Sequence, residues 1–341
     1  MKKRKVTTLK ELAKKLNLSI STVSRALSDH PDISDTTKKK VRQLAEKLQY
    51  APNLFARGFR SHRSHILGVI VPNITHYFTS TVLKGVLKEA EAKGYRVIIS
   101  ESNHNERKQT EMLRTMSQFG VDGILLALAR NTTSLDSILN ILDTTPLVMF
   151  DKVSHKIPCT QVVIDDEIAA FTAVEHLIHT GKKRIAIIKE TEHSFNSEKR
   201  FAGYVRALKE HNIAIDKKII LSTEDISLTK GRMMTNILLS LKERPDAIFA
   251  ITDAAAIGVI KALHKYNIKI PEEIAVVGFS NSTHATIVQP SLTTVDQPGE
   301  KIGKTAVTYL IEEIEHEKND ISTKTITIKT NLIVRDSSFK A

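Results

Sequence analysis

Apolar residues beyond position 65 come in short continuous runs, which alternate with longer segments of helical periodicity. A continuous apolar run is typical of a strand buried on both faces of a sheet. Strict alternation of such strands with helices predicts parallel sheets covered by helices, an α/β fold. The runs are ILGVIVP, YRVIIS, VDGILLA, LVMFD, TQVVIDD, RIAIIK, IILST, AIFAIT and IAVVGFS, with helices predicted over 77–93, 106–119, 133–142, 167–180, 197–211, 228–242, 254–266 and 299–316.

The alternation restarts near residues 160–166, so we predict a body over 66–341 that consists of two similar lobes. The first lobe is predicted over about 66–163 and 294–326, and the second over about 164–293 and 327–341. The last helix and the strands in TITIKTNLIV then close the lobes, and the chain crosses between them more than once. Ligand sites in such sheets form where parallel strands end at their carboxyl edge.

The first 50 residues follow a different pattern and predict three short helices. Thr8 and Glu11 have the spacing of a capping box before the first helix. Asn17 suits the left-handed backbone of a tight turn, and Ser19 opens the second helix. Ser34 caps the third helix. Helix, tight turn and second helix at this spacing indicate a helix-turn-helix.

The second helix lies in LSISTVSRAL, where Val23, Ala26 and Leu27 form an apolar side. The opposite side carries hydroxyls and an arginine. A purely structural helical hairpin could have the same apolar residues, but it would not need this polar face. Short hydroxyls let a helix approach phosphates closely, and an arginine can make bidentate contacts to guanine. The exposed residues that a structural hairpin would not need are Ser19, Ile20, Ser21, Thr22 and Arg25.

The formal net charge of +12 is concentrated at one end of the chain. Residues 1–63 contain 16 lysines and arginines against 5 acidic residues, whereas the other 278 residues contain 34 against 33. A compact basic module beside a neutral body favours nucleic-acid binding. A solvated basic surface and a patch for anionic membranes are the alternatives that charge alone leaves open.

Several classes of protein receive no support from the sequence. Cys159 is the single cysteine, which excludes an internal disulfide framework and disfavours a thiolate zinc site. The basic N-terminus lacks the apolar segment of a secretory signal, and no apolar stretch approaches about 20 residues, so we expect a cytoplasmic protein without a membrane span. None of the 13 histidines has convincing metal spacing, and phosphate, dinucleotide and nucleophile motifs are absent. We therefore expect no catalytic residues, no metal and no cofactor.

Residues 6–57 closely resemble the head of the lactose/galactose repressor family, and ILGVIVPN, VDGILLA, RFAGYVRAL, IAVVGFSN and SLTTVDQP follow the order of that family's body. The resemblance covers essentially the whole chain. It implies a homodimeric transcription regulator, with a helix-turn-helix head over 1–50 and a hinge over 51–65. Its body would resemble periplasmic binding proteins and bind a small effector, often a sugar or sugar derivative. The end VRDSSFKA has no leucine-heptad tail, which favours a dimer over a tetramer.

The resemblance also implies which residues contact double-stranded operator DNA. Bases in the major groove would be contacted by Ile20, Ser21 and Arg25. The second helix would further contribute Ser24. Phosphates would be bound by Thr8, Leu9, Lys10, Ser19, Thr22 and Ser28, and the hinge would contribute Asn53, Ala56, Arg57 and Phe59.

The hinge departs from the family's usual pattern, because Phe59 stands where a leucine normally enters the minor groove and Gly58 precedes it. So short a segment is below the ~12–15 residues needed for marginal helicity, and glycine costs about 1 kcal/mol against alanine. We therefore expect the hinge to fold only on DNA. Phe59 would act as an apolar wedge at a base step, the alternative being packing against its dimer mate.

In the body, the resemblance implies an effector site in the cleft between the lobes. Arg200 and Asp151 match ligand-contacting positions of the family, although Arg200 could instead form a salt bridge between lobes. Asp253 could instead cap the helix that follows it. Tyr77 and Phe78 could stack on a ligand or begin a core helix face. Ser280 and Ile226 replace a common aspartate and a common aromatic, which argues against an ordinary free pyranose. The candidate effector residues are Tyr77, Phe78, Asp151, Arg200, Thr252, Asp253 and Ser280.

Two other functions compete with transcription regulation. A sugar-binding protein of a transport system would share the two-lobed body, but the basic head and the missing signal peptide argue against it. An α/β enzyme with a DNA-binding head would need phosphate or dinucleotide motifs that the sequence lacks. Binding of a pseudopalindromic operator under the control of an effector accounts for both parts of the chain.

Overall fold

A computed structural model describes residues 7–50, 63–130, 132–191, 195–316 and 323–339. The chain divides into two compact units, Met1–Ser64 and His65–Ala341, which we call the head and the body. The predicted hinge residues Asn53, Ala56, Arg57 and Phe59 lie outside the described residues.

The head contains the three predicted helices, α1 (Leu9–Leu16), α2 (Ile20–Leu27) and α3 (Asp35–Lys47). The predicted capping box is confirmed: the Glu11 amide donates to the Thr8 hydroxyl at 3.2 Å, and the Thr8 amide donates to the Glu11 carboxylate at 3.0 Å. Asn17 takes the predicted left-handed backbone, with φ of 53°, and turns the chain from α1 into α2.

One small apolar core joins the three helices of the head. Leu12, Val23 and Val41, one from each helix, have no exposed surface. Ala13 is also buried, and its small side chain lets α1 and α2 cross closely. These contacts bury one face of α2 and leave its opposite face to solvent.

The body contains two six-stranded sheets. The first has the order β11-β5-β4-β3-β1-β2 and is parallel throughout; the second has the order β12-β10-β9-β8-β6-β7 and is parallel except for the antiparallel pair of β10 and β12. The strands of the first sheet are β1 (Ile66–Val71), β2 (Arg96–Glu101), β3 (Gly123–Leu126), β4 (Leu147–Phe150), β5 (Gln161–Ile164) and β11 (Thr325–Ile328). Those of the second are β6 (Ile185–Glu190), β7 (Ile220–Thr223), β8 (Ala247–Ala250), β9 (Ala275–Phe279), β10 (Thr293–Asp296) and β12 (Asn331–Ile333).

Helices pack on the sheets as the alternation predicted, so that each sheet and its helices form one lobe. The first lobe has α4 (Tyr77–Ala92), α5 (Glu106–Gln118), α6 (Asp136–Leu142) and α12 (Gly299–Glu315). The second lobe has α7 (Asp166–His179), α8 (Phe195–Glu210), α9 (Leu228–Leu239), α10 (Asp253–Lys265) and α11 (His284–Ile287). A short 3-10 helix, Lys217–Ile219, precedes β7.

The described chain crosses between the lobes three times, and two predicted boundaries need correction. Residues 294 and 327 both fall inside strands, because β10 still belongs to the second sheet and β11 to the first. The chain therefore crosses after Asp296 and after Ile328, in addition to the crossing after Ile164. Hydrophobic periodicity identifies a strand but not the sheet it joins, which explains both errors.

Two glycines let α4 and α12 pack closely in the first lobe. A β-carbon at Gly85 would lie 2.2 Å from the Glu300 carbonyl oxygen, and one at Gly303 would lie 2.1 Å from the Val82 carbonyl oxygen. Because both obstacles are backbone atoms, no side-chain rotation relieves them. The crossing of these helices requires glycine at both positions.

No helix in the described part of the chain has the length and the apolar composition needed to cross a membrane.

We predict that Gly85→Ala destabilises the body by about 2 kcal/mol, since overpacking against backbone atoms should cost about 3 kcal/mol, the upper end of the usual range, and the better helix propensity of alanine offsets about 1 kcal/mol. Denaturant unfolding followed by circular dichroism measures the change. Ser80→Ala, at an exposed position of the same helix, is the matched control and should be close to neutral. Equal stability of Gly85→Ala and the wild type would contradict the close crossing.

Candidate functional site

The solvent face of α2 is the candidate DNA-binding surface of the head. Ile20 is 43% exposed, and Ser21 and Arg25 are exposed on the same helix. The buried side of α2 fixes this face against α1 and α3. A short helix supported in this way, with an exposed arginine, has the form of a helix that enters the major groove.

Part of the hydroxyl pattern of α2 has a local structural cause. The Ser19 hydroxyl accepts the Thr22 amide at 3.0 Å, so Ser19 is the N-cap of the helix. The Ser28 hydroxyl donates to the Ser24 carbonyl at 3.1 Å at the other end. Arg25 lies 3.8 Å from Asp32 in an exposed ion pair, which contributes little and allows the guanidinium to change partner.

In the body, a cavity of about 350 Å³ lies between the lobes, at the carboxyl ends of strands from both sheets. It is next to the points where strand order reverses, between β1 and β3 and between β6 and β8. The structure brings all seven candidate effector residues to this cavity, which is lined by Tyr77, Phe78, Asp151, Arg200, Thr252, Asp253 and Ser280 among others.

Arg200 is the most constrained of these residues. Its Nε donates to Asp166 at 2.8 Å, its Nη1 donates to the Ile251 carbonyl at 2.7 Å, and its guanidinium carbon lies 3.6 Å from the centre of the Phe279 ring. Every one of these partners belongs to the second lobe. The alternative of a salt bridge between the lobes is therefore wrong for Arg200, which is fixed within its own lobe at the cavity wall.

The two aspartates at the cavity are also fixed. Asp151 has a left-handed backbone, with φ of 58°, and accepts the Asn196 amide nitrogen of the other lobe at 2.6 Å. Asp253 accepts the Ser282 amide and the Thr294 hydroxyl, each at 2.5 Å. Burial raises the pKa of both carboxyl groups.

A buried ion pair joins the lobes across the cavity. Arg130 follows β3 in the first lobe, and its Nη2 lies 2.6 Å from the carboxylate of Glu190 at the end of β6. The same guanidinium donates from Nη1 to the Glu224 carbonyl of the second lobe. Its side chain is 15% exposed and that of Glu190 is 8% exposed, so solvent screens the pair only partly.

Four residues at the cavity each have a buried polar atom without a hydrogen-bond partner in the described structure. These atoms are His104 Nδ1, Arg130 Nε, Asn196 Oδ1 and Gln297 Nε2. An unsatisfied buried polar group costs about 1–3 kcal/mol, so such groups favour a bound molecule that supplies partners. These four atoms include hydrogen-bond donors and acceptors, so they suit a ligand that carries donors and acceptors of its own.

Burial also affects the histidines of the cavity. It lowers the pKa of His104 to about 4 and lowers that of His76 below its ordinary value. The His104 ring is therefore neutral at neutral pH and contributes hydrogen-bonding groups to the cavity but no positive charge.

Comparison with known families identifies both units of the chain. Residues 8–53 match the family described as bacterial regulatory proteins, lacI family, and residues 174–338 match the periplasmic binding protein-like domain. The NTD biosynthesis operon regulator NtdR of Bacillus subtilis is 33% identical over 331 residues, which are 97% of this chain and 99% of that protein. The chain belongs to the lacI family. It is a DNA-binding transcription regulator with an effector-binding body.

Other members of the lacI family match over similar lengths. Catabolite control protein A of Priestia megaterium is 33% identical over 92% of this chain and 95% of its own length. The lac repressor dimer bound to operator and ONPF has a TM-score of 0.87 at 22% identity, covers 98% of this chain and supports the fold. NtdR is named as an operon regulator, and neither of the two relatives is named as an enzyme.

Asp253 and Phe78 each had an alternative structural role, as a helix cap and as a core residue. Asp253 is not the cap of α10, because the Thr252 hydroxyl accepts the Ala255 amide at 3.3 Å and is the cap. Phe78 is 5% exposed and belongs to the main core cluster, so it packs in the core as well as lining the cavity. Tyr77 is only partly buried beside it.

Several cavity residues were not singled out from the sequence, although Glu190 and Asn196 lie within the stretch 189–200 that follows a predicted strand end. Arg130 follows a predicted strand and Glu190 ends one. A charged residue at the end of a buried strand is a signal for the carboxyl edge of a sheet. Their pairing across the lobes depends on how the two sheets face each other, which periodicity does not report. His104 and Asn196 lie at the start of helical segments, where polar residues are expected for other reasons.

We predict that His104 by itself makes the body less stable as pH falls from about 6.5 to 4. In this range the unfolded chain binds a proton at His104, whereas the folded body does not, because the folded pKa is about 4. His104→Asn should reduce the loss, and asparagine tolerates the left-handed backbone at this position, φ 57°. Thermal unfolding at pH 7.5 and pH 5 measures the effect.

His264→Asn is the control, since His264 is exposed on α10 and far from the cavity lining. Its loss of stability between the two pH values should equal that of the wild type. The same loss in His104→Asn as in the wild type would contradict the assignment to His104.

Proposed function

We propose that this lacI-family regulator is a cytoplasmic repressor, without enzymatic activity, that binds a pseudopalindromic operator as a homodimer. The observation that carries the proposal is the solvent face of α2, where Ile20, Ser21 and Arg25 are exposed above a buried core. Two symmetric heads would place two such helices in successive major grooves. The basic character of the head supplies the attraction to phosphates.

In this proposal, Arg25 contacts a guanine edge, and Ile20 and Ser21 contact neighbouring bases by packing and hydrogen bonding. Backbone phosphates would be bound by residues at or near the helix ends, namely Thr8, Leu9, Lys10, Ser19, Thr22 and Ser28, and α2 would further contribute Ser24 to the DNA contact. The capping of Ser19 and Ser28 supports this role, because a helix end that is fixed presents its amides and hydroxyls in one orientation.

With so few base contacts for each head, the hinge would supply further specificity. Asn53, Ala56, Arg57 and Phe59 are proposed to fold against the minor groove, with Phe59 as the wedge.

The cavity is proposed to bind a polar effector such as a sugar derivative. Its charged groups show no excess of positive charge: Arg130 faces Glu190, Arg200 faces Asp166, and Lys152 is accompanied in the lining by Asp151, Asp225 and Asp253. A phosphate group would need an excess of positive charge. Buried donors and acceptors without partners suit hydroxyl groups better, so a neutral or amine-bearing sugar derivative fits best.

Effector binding would act through the contacts between lobes. The pairs Arg130–Glu190 and Asp151–Asn196 both cross the cavity, so a ligand that changes either pair changes the closure of the lobes. A coupling free energy of about 1–3 kcal/mol changes operator affinity about 5–150-fold.

Arg25→Ala should weaken operator binding by about 1–3 kcal/mol, the usual contribution of one bidentate base contact. Binding titrations at several salt concentrations measure the loss and the salt slope. Arg107→Ala removes the same charge from an exposed site on the body and should leave the affinity unchanged. Unchanged binding by Arg25→Ala, or a wild-type affinity that is insensitive to salt, would remove the proposal for the head.

For the cavity, a thermal-shift screen should contain neutral sugars, amino sugars, sugar acids and phosphosugars. A ligand at about 100 times its dissociation constant stabilises by about 2.7 kcal/mol, which corresponds to a shift of about 5–10 °C. We expect shifts from neutral or amine-bearing compounds. Arg200→Lys should abolish the shift and the change in operator affinity while the head still binds DNA. A response to phosphosugars alone would contradict the proposed ligand class.

A further inference from the structure

A cluster of three potential metal ligands lies on the second lobe, outside the cavity lining. It consists of Glu175, His179 and His211, whose ligand atoms all lie within 4.8 Å of one another. The His211 Nε2 lies 3.3 Å from the Glu175 carboxylate, and the rings of His179 and His211 are 5.4 Å apart at an angle of 84°.

The packing of two helices creates this cluster. Glu175 and His179 are four residues apart on α7 and therefore share one face of it. His211 directly follows the last residue of α8, which packs along α7. Sequence analysis predicted no metal because His211 is far from the other two residues along the chain. The spacing of residues within one segment could not show that His211 lies beside Glu175 and His179.

The ligand set is suited to a particular class of ion. Two imidazoles and one carboxylate are typical of Zn²⁺ with three protein ligands and one open position, and Ni²⁺ and Cu²⁺ accept similar sets. Mg²⁺ and Ca²⁺ prefer oxygen ligands alone. Ligand atoms around tetrahedral Zn²⁺ lie about 3.3 Å apart, so small side-chain rotations bring these atoms into position.

The cluster is accessible to an ion from solvent. His179 is exposed, and the side chains of Glu175 and His211 are 31% and 27% exposed. Solvent exposure leaves room for the three side chains to turn towards an ion, while the His211–Glu175 contact at 3.3 Å and the ring contact of His179 with His211 already hold them close together.

We propose that Glu175, His179 and His211 bind one divalent transition-metal ion of the Zn²⁺ class. The ion joins α7 to the end of α8. These two helices carry Asp166 and Arg200 near their other ends, next to the cavity. Metal binding thus connects the positions of both helices and stabilises the second lobe independently of any effector.

The test uses the full-length protein without a histidine tag and with Zn²⁺ as the probe. Bound zinc is counted by equilibrium dialysis, and unfolding is followed with and without excess Zn²⁺. The wild type should bind one equivalent more than His179→Ala or His211→Ala. Its unfolding midpoint should rise by about 5 °C with zinc, a shift that both variants lose.

Two further variants make the outcome decisive. Glu175→Gln keeps the shape and hydrogen bonding of the side chain but removes the charge, and should weaken zinc binding about tenfold or more. His264→Ala, at an exposed histidine of α10, should bind zinc like the wild type. If the wild type and all four variants bind the same number of zinc ions and shift equally, the cluster is not a metal site.

Discussion

The burial of the Arg200 guanidinium is the constraint on which the second lobe depends. A buried charge is tolerated only when it is paired and hydrogen-bonded. Its partners come from three places in the fold: Asp166 begins α7, Ile251 follows β8 and Phe279 ends β9, while Arg200 itself lies on α8. These elements must converge for the charge to be satisfied, and the cavity wall forms where they meet. Removing Asp166 alone would leave the charge uncompensated, which typically costs several kcal/mol.

Among the described residues, polar side chains make contacts between the lobes across the cavity, and this suits a switch. Arg130 contacts both Glu190 and the Glu224 carbonyl, and Asp151 contacts Asn196. A ligand in the cavity can compete for these polar groups, and its differential affinity for two arrangements of the lobes would shift the equilibrium between them. Arg130 Nε has no hydrogen-bond partner in the described structure, so an unsatisfied polar group lies at the cavity itself.

Much of the fold follows from the sequence, because buried parallel strands and amphipathic helices have distinct periods. The turn at Asn17 and the caps at Thr8 and Ser34 were predictable for the same reason: they depend on neighbours in the chain. The seven cavity residues came from family resemblance combined with strand ends. Features that depend on packing between distant segments could not be predicted. They include which sheets β10 and β11 join, which residue pairs with Arg200, and the position of His211 beside α7.

The order of the chain through the lobes has a consequence for synthesis. Helix α12 and strand β11 complete the first lobe, although they follow the whole of the second-lobe sheet except β12. On a ribosome that adds about 5–20 residues each second, β1 waits roughly 10–50 s for these partners. Until then the nascent first lobe exposes the face that α12 will cover and the edge of β5 that β11 will pair. The head, by contrast, has only local contacts and can fold as soon as it emerges. During synthesis, apolar faces and strand edges of the body therefore stay exposed far longer than those of the head.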